Sequence, residues 1–225
     1  MHIEPGIVNG AKILLSYGTA AAAGTYALKL AWDHVKENGA SRLVGGTAAT
    51  TALTFIFFQV LPHYPVGVSE VHFILGSTLL LLFGAAPAAF GLALGLLLQG
   101  LFFAPFDLPQ YGINVTTLLV PLFAIYALAK RIIASDTPYV DLKYTQALAL
   151  STTYQGGVVA WVAFWAFYGQ GLGAENMASV FSFGAAYMLV IIVEPLADLA
   201  VLAGAKGLRD MGFGRFLTHR VYHAA

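Results

Sequence analysis

The sequence contains no cysteine, which excludes disulfide bonds, thiolate metal sites, iron–sulfur clusters and a cysteine nucleophile. Charged residues are also scarce, at 10% of the 225 residues, whereas a soluble domain carries about 25%. The formal net charge is zero, so the chain lacks the basic surface of a nucleic-acid-binding protein. Because 59% of the residues are hydrophobic, the composition predicts an integral membrane protein.

Common catalytic motifs are missing as well. There is no glycine-rich Walker loop, so we do not expect this chain to hydrolyse ATP. Neither His-Glu-x-x-His nor Gly-x-Ser-x-Gly occurs, which argues against a zinc protease or a serine hydrolase. The N-terminus does not resemble a cleavable signal peptide, because it lacks a basic segment and Lys12 interrupts the first apolar run. We therefore expect a non-enzymatic protein that keeps its first residues.

Seven apolar stretches are candidates to cross the bilayer, for which a helix needs about 20 residues. They cover residues 7–32, 43–61, 71–83, 87–103, 115–133, 145–168 and 178–205. The third stretch is short for a crossing helix, and Pro195 predicts a kink in the seventh. The sequence thus predicts an all-α membrane protein with about seven transmembrane helices in one polytopic domain over residues 1–225.

Basic side chains fall on alternate links between these stretches. Apart from Lys12, all of the 11 Lys and Arg residues lie at the C-terminal ends of stretches one and five, in the links that follow them, or near the C-terminus. The links after stretches two, four and six contain none. Because cytoplasmic loops are enriched in Lys and Arg, the pattern predicts a cytoplasmic basic tail over residues 206–225 and an N-terminus on the outer side.

The first two residues, Met1-His2, form a potential metal chelate. The α-amine of Met1, the amide nitrogen of His2 and its imidazole can fill three corners of a square plane. Square-planar nitrogen ligation suits Ni(II) and Cu(II), and Co(II) less firmly. Residues 1–6 therefore form a candidate metal-chelating segment, whose fourth ligand must come from elsewhere in the chain.

Two histidines, His63 and His72, are predicted on the same outer side as His2. His72 lies where an outer loop becomes the third apolar stretch, and ionisable groups at such depth are functional candidates. His63 lies among prolines and is interpreted as structural or as a partner that supports the site. The other three are expected on a solvated cytoplasmic surface: His34, His219 and His223.

Three short motifs together resemble the CbiM/NikM family, the substrate-binding membrane components of energy-coupling-factor transporters for cobalt and nickel. The first is the Met-His-Ile start, followed by a turn that contains glycine. The second is Gly-x-Ser ahead of a histidine-led stretch, at residues 67–72. The third is Gly-x-Asn at residues 112–114, at the start of the fifth stretch.

The resemblance implies that Met1 supplies its amine, His2 its amide and imidazole nitrogens, and His72 the fourth ligand to one Co(II) or Ni(II) ion. The transported ion would be the only metal, with no further cofactor. The implied partners are a transmembrane scaffold subunit, ATPase subunits and a candidate small accessory membrane subunit, in a prokaryotic cytoplasmic membrane. Ser69 and Asn114 are interpreted either as side chains that orient the imidazoles or as helix caps.

Two other functions are compatible with the sequence. One is a related substrate-binding component for a vitamin, because aromatic runs such as residues 161–168 could stack on a planar ligand. The other is a membrane enzyme with a histidine-bound metal, although no carboxylate base lies in the stretches around His72. The sequence leaves open the choice between cobalt and nickel and the role of Glu194 and Asp198 in the seventh stretch.

Overall fold

The computed structural model describes residues 3–207 and 217–223, and α-helices dominate this part of the chain. The helices are α1 (Leu14–Asn38), α2 (Ala40–Phe55), α3 (Gly76–Phe83), α4 (Ala85–Phe102), α5 (Tyr111–Ile132), α6 (Tyr144–Gln170), α7 (Ala174–Met188) and α8 (Val190–Gly207). The predicted chelating residues Met1 and His2, and about half of the predicted basic tail, lie outside the described residues.

Four helical runs in the described chain are long and apolar enough to cross a membrane. They are Ala40–Val60, Ala85–Phe102, Pro105–Ile132 and Ala174–Gly207. Helices α1 and α6, with 25 and 27 residues, have sufficient length but are less apolar. The predicted class, an all-α integral membrane protein with several crossings, agrees with this architecture.

The link between α2 and α3 contains a small β-hairpin that the all-α prediction missed. Helix α2 continues as a π-helical turn, Ile56–Val60, and is followed by β1 (Tyr64–Val66) and β2 (Ser69–Val71). The two strands are antiparallel, and Val66 pairs with Ser69 across a two-residue turn. Gly67 in that turn has a φ of 60°, which favours glycine over residues with a side chain.

The third predicted crossing is not a continuous helix over residues 71–83. Its helical part, α3, has only eight residues and is preceded by non-helical backbone from His72 to Leu75. With about 3.3 Å per extended residue and 1.5 Å per helical residue, residues 72–83 reach roughly 25 Å. Non-helical backbone is tolerated at membrane depth where protein covers it, and Ile74 is fully buried here.

The seventh predicted crossing is divided into α7 and α8 at Leu189. The break precedes Pro195 by six residues, so the proline lies inside α8 and does not end it. Pro195 cannot donate a backbone hydrogen bond and crowds the carbonyl four residues earlier, which weakens the first turns of α8. The predicted interruption is therefore present, but it lies N-terminal to the proline.

Small side chains allow close packing of the helices in the core. Thr50 and Thr54 on α2 face Gly91 and Gly95 on α4, where an added methyl group would lie only 2.0–2.6 Å from the threonine side chains. The Thr50 hydroxyl lies 2.7 Å from the carbonyl oxygen of Pro87 on α4. Such close contact between small residues is typical of helices packed in a membrane.

Candidate metal centre

His72 lies directly after β2, at the start of the non-helical segment that leads into α3. Its side chain is buried, with 1% of the residue exposed. The imidazole stacks on that of His63, with ring centroids 4.9 Å apart and planes 5° apart, and it also contacts the Phe58 ring at 4.8 Å. The two neighbouring rings fix the position of the imidazole.

The N-terminal segment is held against β2 and against the start of α5. Ile3 forms a bridge with Ser69 of β2, and the backbone nitrogen of Glu4 donates to the Val68 carbonyl oxygen at 3.0 Å. On the opposite side, the backbone nitrogen of Ile3 donates to Asn114 Oδ1 at 2.9 Å. The described part of the N-terminus is therefore fixed by contacts with two distant parts of the chain.

Further contacts reinforce this anchor. The side-chain amide of Gln110, oriented to satisfy both of its neighbours, donates to the Ile3 carbonyl oxygen at 2.9 Å and accepts from Gly6 N at 3.2 Å. Ile3 and Val8, each 1% exposed, pack against the buried indole of Trp165 on α6. Burial of both apolar side chains makes detachment of the segment costly.

One carboxyl group contacts His72 and interacts electrostatically with two others, and the sequence analysis had not placed any of the three in the site. Glu70 Oε2 is 3.5 Å from His72 Nε2. Burial and, to a smaller extent, the negative charge of Glu70 raise the pKa of Glu4 above its ordinary value. Asp107, in the 3-10 helix Pro105–Gln110, is 5% exposed and interacts electrostatically with both glutamates.

The structure brings together four of the predicted site residues, His72, Ser69, Asn114 and His63. Ser69 is buried in β2 opposite Ile3, and Asn114 binds the backbone of Ile3. The inward position of Asp107 could not be read from the sequence, because a short 3-10 helix has no apolar periodicity to show which side chains are buried. The other two predicted ligands, Met1 and His2, lie outside the described residues.

A comparison with protein-family models gives a match over residues 2–209. The matching family is CbiM, described as "Cobalt uptake substrate-specific transmembrane region". The chain belongs to the CbiM family. A comparison with curated proteins gives no match.

Two solved structures resemble this CbiM-family chain. The first, the crystal structure of a truncated transition metal transporter, aligns with a TM-score of 0.70 and 18% identity over 92% of this chain and 99% of that one. The second, the crystal structure of a transition metal transporter, aligns with a TM-score of 0.67 and 18% identity over 92% and 93%. The fold of this CbiM-family chain is therefore that of the two solved structures.

Proposed function

We propose that this chain captures one Co(II) or Ni(II) ion from outside the cell as the substrate-binding subunit of an energy-coupling-factor transporter. The ligands are the Met1 amine, the His2 amide and imidazole nitrogens, and the His72 imidazole. The observation that carries the proposal is the attachment of Ile3 to the strand that leads into His72.

The register of the attachment of Ile3 to β2 supports the proposed ligand set. In an antiparallel pair, a chain that continues from Ile3 towards its N-terminus runs alongside the residues that follow Ser69. Those residues are Glu70 and Val71, which lead directly to His72. The anchor thus supports a site made of the two terminal residues and His72.

The arrangement of histidine and acidic side chains in the described residues also favours metal ligands from the N-terminus. Within residues 3–207 and 217–223, no group of three or more histidine and acidic side chains is arranged to hold a metal ion. A metal ion bound by His72 would take its other ligands from outside these residues, and in the proposal Met1 and His2 provide three nitrogen atoms. The carboxylates of Glu4, Glu70 and Asp107 form a negative environment that attracts a divalent cation and offsets its charge.

We propose seven membrane crossings, with the N-terminus outside and the C-terminus in the cytoplasm of a prokaryotic cell. The crossings are α1, α2, residues 72–83, α4, α5, α6 and the α7–α8 pair. Two contacts mark opposite ends of the helical bundle. At one end Lys12 Nζ donates to the Gly169 carbonyl oxygen at 2.8 Å, and at the other end Arg220 donates to the Ala134 carbonyl oxygen at 2.8 Å. The second end carries most of the basic residues, which supports its assignment to the cytoplasm.

ATP hydrolysis and reorientation of the subunit are assigned to partners, namely a transmembrane scaffold, ATPase subunits and a small accessory membrane subunit. The aromatic run on α6 gives little support to a vitamin site, because Trp165 is fully buried against Ile3 and Val8. The same packing gives the run a structural role beside the metal centre.

Isothermal titration calorimetry with Co(II) and Ni(II) tests the proposal on protein that begins at Met1. We expect tight binding at one site per chain, a large loss of affinity in His72→Ala, and little change in His34→Ala at the opposite end. A peptide tag ahead of Met1 should abolish binding, because it converts the α-amine to an amide. Unchanged binding in either the tagged protein or His72→Ala would refute the ligand set.

A further inference from the structure

Two acidic residues of α8, Glu194 and Asp198, are fully buried and lie far from the metal centre along the chain. They are one helical turn apart on one face of the helix, opposite Ser77 and Thr78 in the first turn of α3. That turn begins about halfway along residues 72–83, so both carboxyl groups lie near the middle of the proposed membrane crossing. Carboxyl groups at this depth are expensive and are functional candidates.

Ser77 connects the two carboxyl groups. Its Oγ atom lies 2.8 Å from Asp198 Oδ2 and 3.2 Å from Glu194 Oε1, while Thr78 Oγ1 hydrogen-bonds to Asp198 Oδ1. A hydroxyl group has a single hydrogen, so Ser77 can donate to only one of the two carboxyl groups. The other contact becomes a hydrogen bond if the carboxyl group carries a proton and donates it to the serine oxygen.

The contact between Glu194 and Gln155 of α6 also favours a protonated carboxyl group. Glu194 Oε2 lies 2.5 Å from the Gln155 amide and 2.6 Å from Ser151 Oγ. A distance of 2.5 Å is short for an N–H donor but lies within the range of O–H donors. Gln155 Oε1 is buried and has no hydrogen-bond partner among the described residues. Rotation of the amide by half a turn would let this oxygen accept a hydrogen bond from a protonated Glu194.

Among the described residues, none beside the pair carries a positive charge that compensates it. In the described part of the chain, the titratable groups that interact with Glu194 are Asp198, Tyr154 of α6 and Tyr187 of α7. Both tyrosine hydroxyls are buried and lack hydrogen-bond partners among the described residues. The phenol end of Tyr154 faces α3, because a methyl group at Gly76 would lie 2.2 Å from Tyr154 Cζ.

The other charged groups at α8 are too exposed to neutralise the pair. Lys206, near the end of α8, binds Asp141 of the 3-10 helix Tyr139–Asp141 at 2.6 Å, and both side chains are at least half exposed. Helix α3 adds only the two hydroxyl groups of Ser77 and Thr78. Two ionised carboxylates in this setting would be desolvated, uncompensated and mutually repulsive, so a positively charged ligand must accompany them.

We propose that Glu194, Ser77 and Asp198 form a proton-binding site within the membrane that holds one proton on the Glu194 carboxyl group. A proton on Oε1 completes a chain from Glu194 through Ser77 to Asp198. A proton on Oε2 lets Glu194 donate a hydrogen bond to the side-chain oxygen of Gln155. The site joins α8 to α3 and α6 and does not depend on the metal ligands.

Infrared spectroscopy of the full chain in lipid nanodiscs tests this proposal at neutral pH. A protonated carboxyl group gives a carbonyl stretching band that is separate from the carboxylate and amide bands and shifts in D2O. We expect this band in the wild-type protein and its complete loss in Glu194→Gln. The same substitution at an exposed glutamate, Glu175→Gln, is the matched control and should leave the band unchanged.

Isotope labelling makes the test independent of how well the variant folds. Carbon-13 in glutamate should shift the band, whereas carbon-13 in aspartate should not. A band that moves only with labelled aspartate would overturn the assignment to Glu194. Absence of the band, or its loss when NaCl replaces KCl at constant ionic strength, would also overturn the proposal, and the second outcome would identify a sodium site.

Discussion

Replacement of Asn114 by alanine should weaken metal binding, although Asn114 is not one of the proposed ligands. The side-chain oxygen Oδ1 of Asn114 accepts a hydrogen bond from the backbone N–H of Ile3 at 2.9 Å. Because Ile3 is only 1% exposed, water cannot replace the lost acceptor. A buried donor left without a partner costs about 1–3 kcal/mol. If metal binding requires the anchored segment, this cost corresponds to a roughly 5- to 150-fold loss of affinity.

Calorimetry with Ni(II), combined with thermal unfolding of the metal-free protein, measures both consequences of the substitution. Asn114→Asp keeps an acceptor oxygen at the same position and should retain most of the affinity. Asn176→Ala removes another buried asparagine, at the start of α7, which donates to the carbonyl oxygens of Ala166 and Gly171 near the end of α6. It should lower the melting temperature without a matching loss of affinity. Wild-type affinity in Asn114→Ala would refute the link between the anchor and the metal site.

A glycine inserted between Met1 and His2 adds a second amide nitrogen, so that the terminus alone provides a complete four-nitrogen chelate. Ni(II) binding to this variant, measured by calorimetry, should then survive His72→Ala. Loss of binding would argue against the terminal chelate. Gly67→Ala should lower stability to thermal unfolding by about 1–3 kcal/mol, because its φ is 60° and the added methyl group would lie 2.1 Å from the Ser179 carbonyl oxygen. Burial and Glu70 raise the pKa of Glu4, so ionisation of Glu4 destabilises the folded metal-free protein as pH rises through that raised value. Glu4→Gln should remove the part of the fall in melting temperature with rising pH that is due to ionisation of Glu4. Below pH 4.5, the ordinary pKa of the group, the stability of the variant should be nearly that of the wild type.

Two controls accompany these measurements. Gly171→Ala also places a methyl group at a positive φ, of 80°, but into open space, so its cost should be smaller than that of Gly67→Ala. Glu175→Gln removes an exposed carboxylate and should leave the pH dependence of the melting temperature as it is in the wild type. Equal effects of the two glycine substitutions would show that backbone strain alone, without the contact to Ser179, explains the loss.

The sequence was informative where one local property decides the structure. Long apolar runs predicted the membrane helices, since length and hydropathy determine whether a helix can cross. The position of His72 at the end of the link between the second and third apolar stretches also agrees with the structure. The proposed role of His72 as a ligand, together with those of Met1 and His2, stays a prediction.

The sequence was less informative where contacts between distant residues decide the structure. Asn114 was considered as a partner of the imidazoles or as a helix cap, whereas among the described residues it binds the backbone of Ile3, 111 positions away. The β-hairpin was missed because its strands have three residues each, too few for a period-two pattern. Glu194 was left without a role because its partners come from α3 and α6, which no local pattern connects.

The contact between Gly67 and α7 couples two parts of the molecule mechanically. The turn of the hairpin lies so close to the Ser179 backbone that even a methyl group has no room between them. Movement of α7 towards the turn must therefore displace the hairpin, including the strand that leads to His72. Ile3 is bound on one side to this strand and on the other side to Asn114 of α5. Under the proposed function, a partner subunit that pushes α7 towards the turn would displace this strand from its contact with Ile3, which opens the centre and releases the ion.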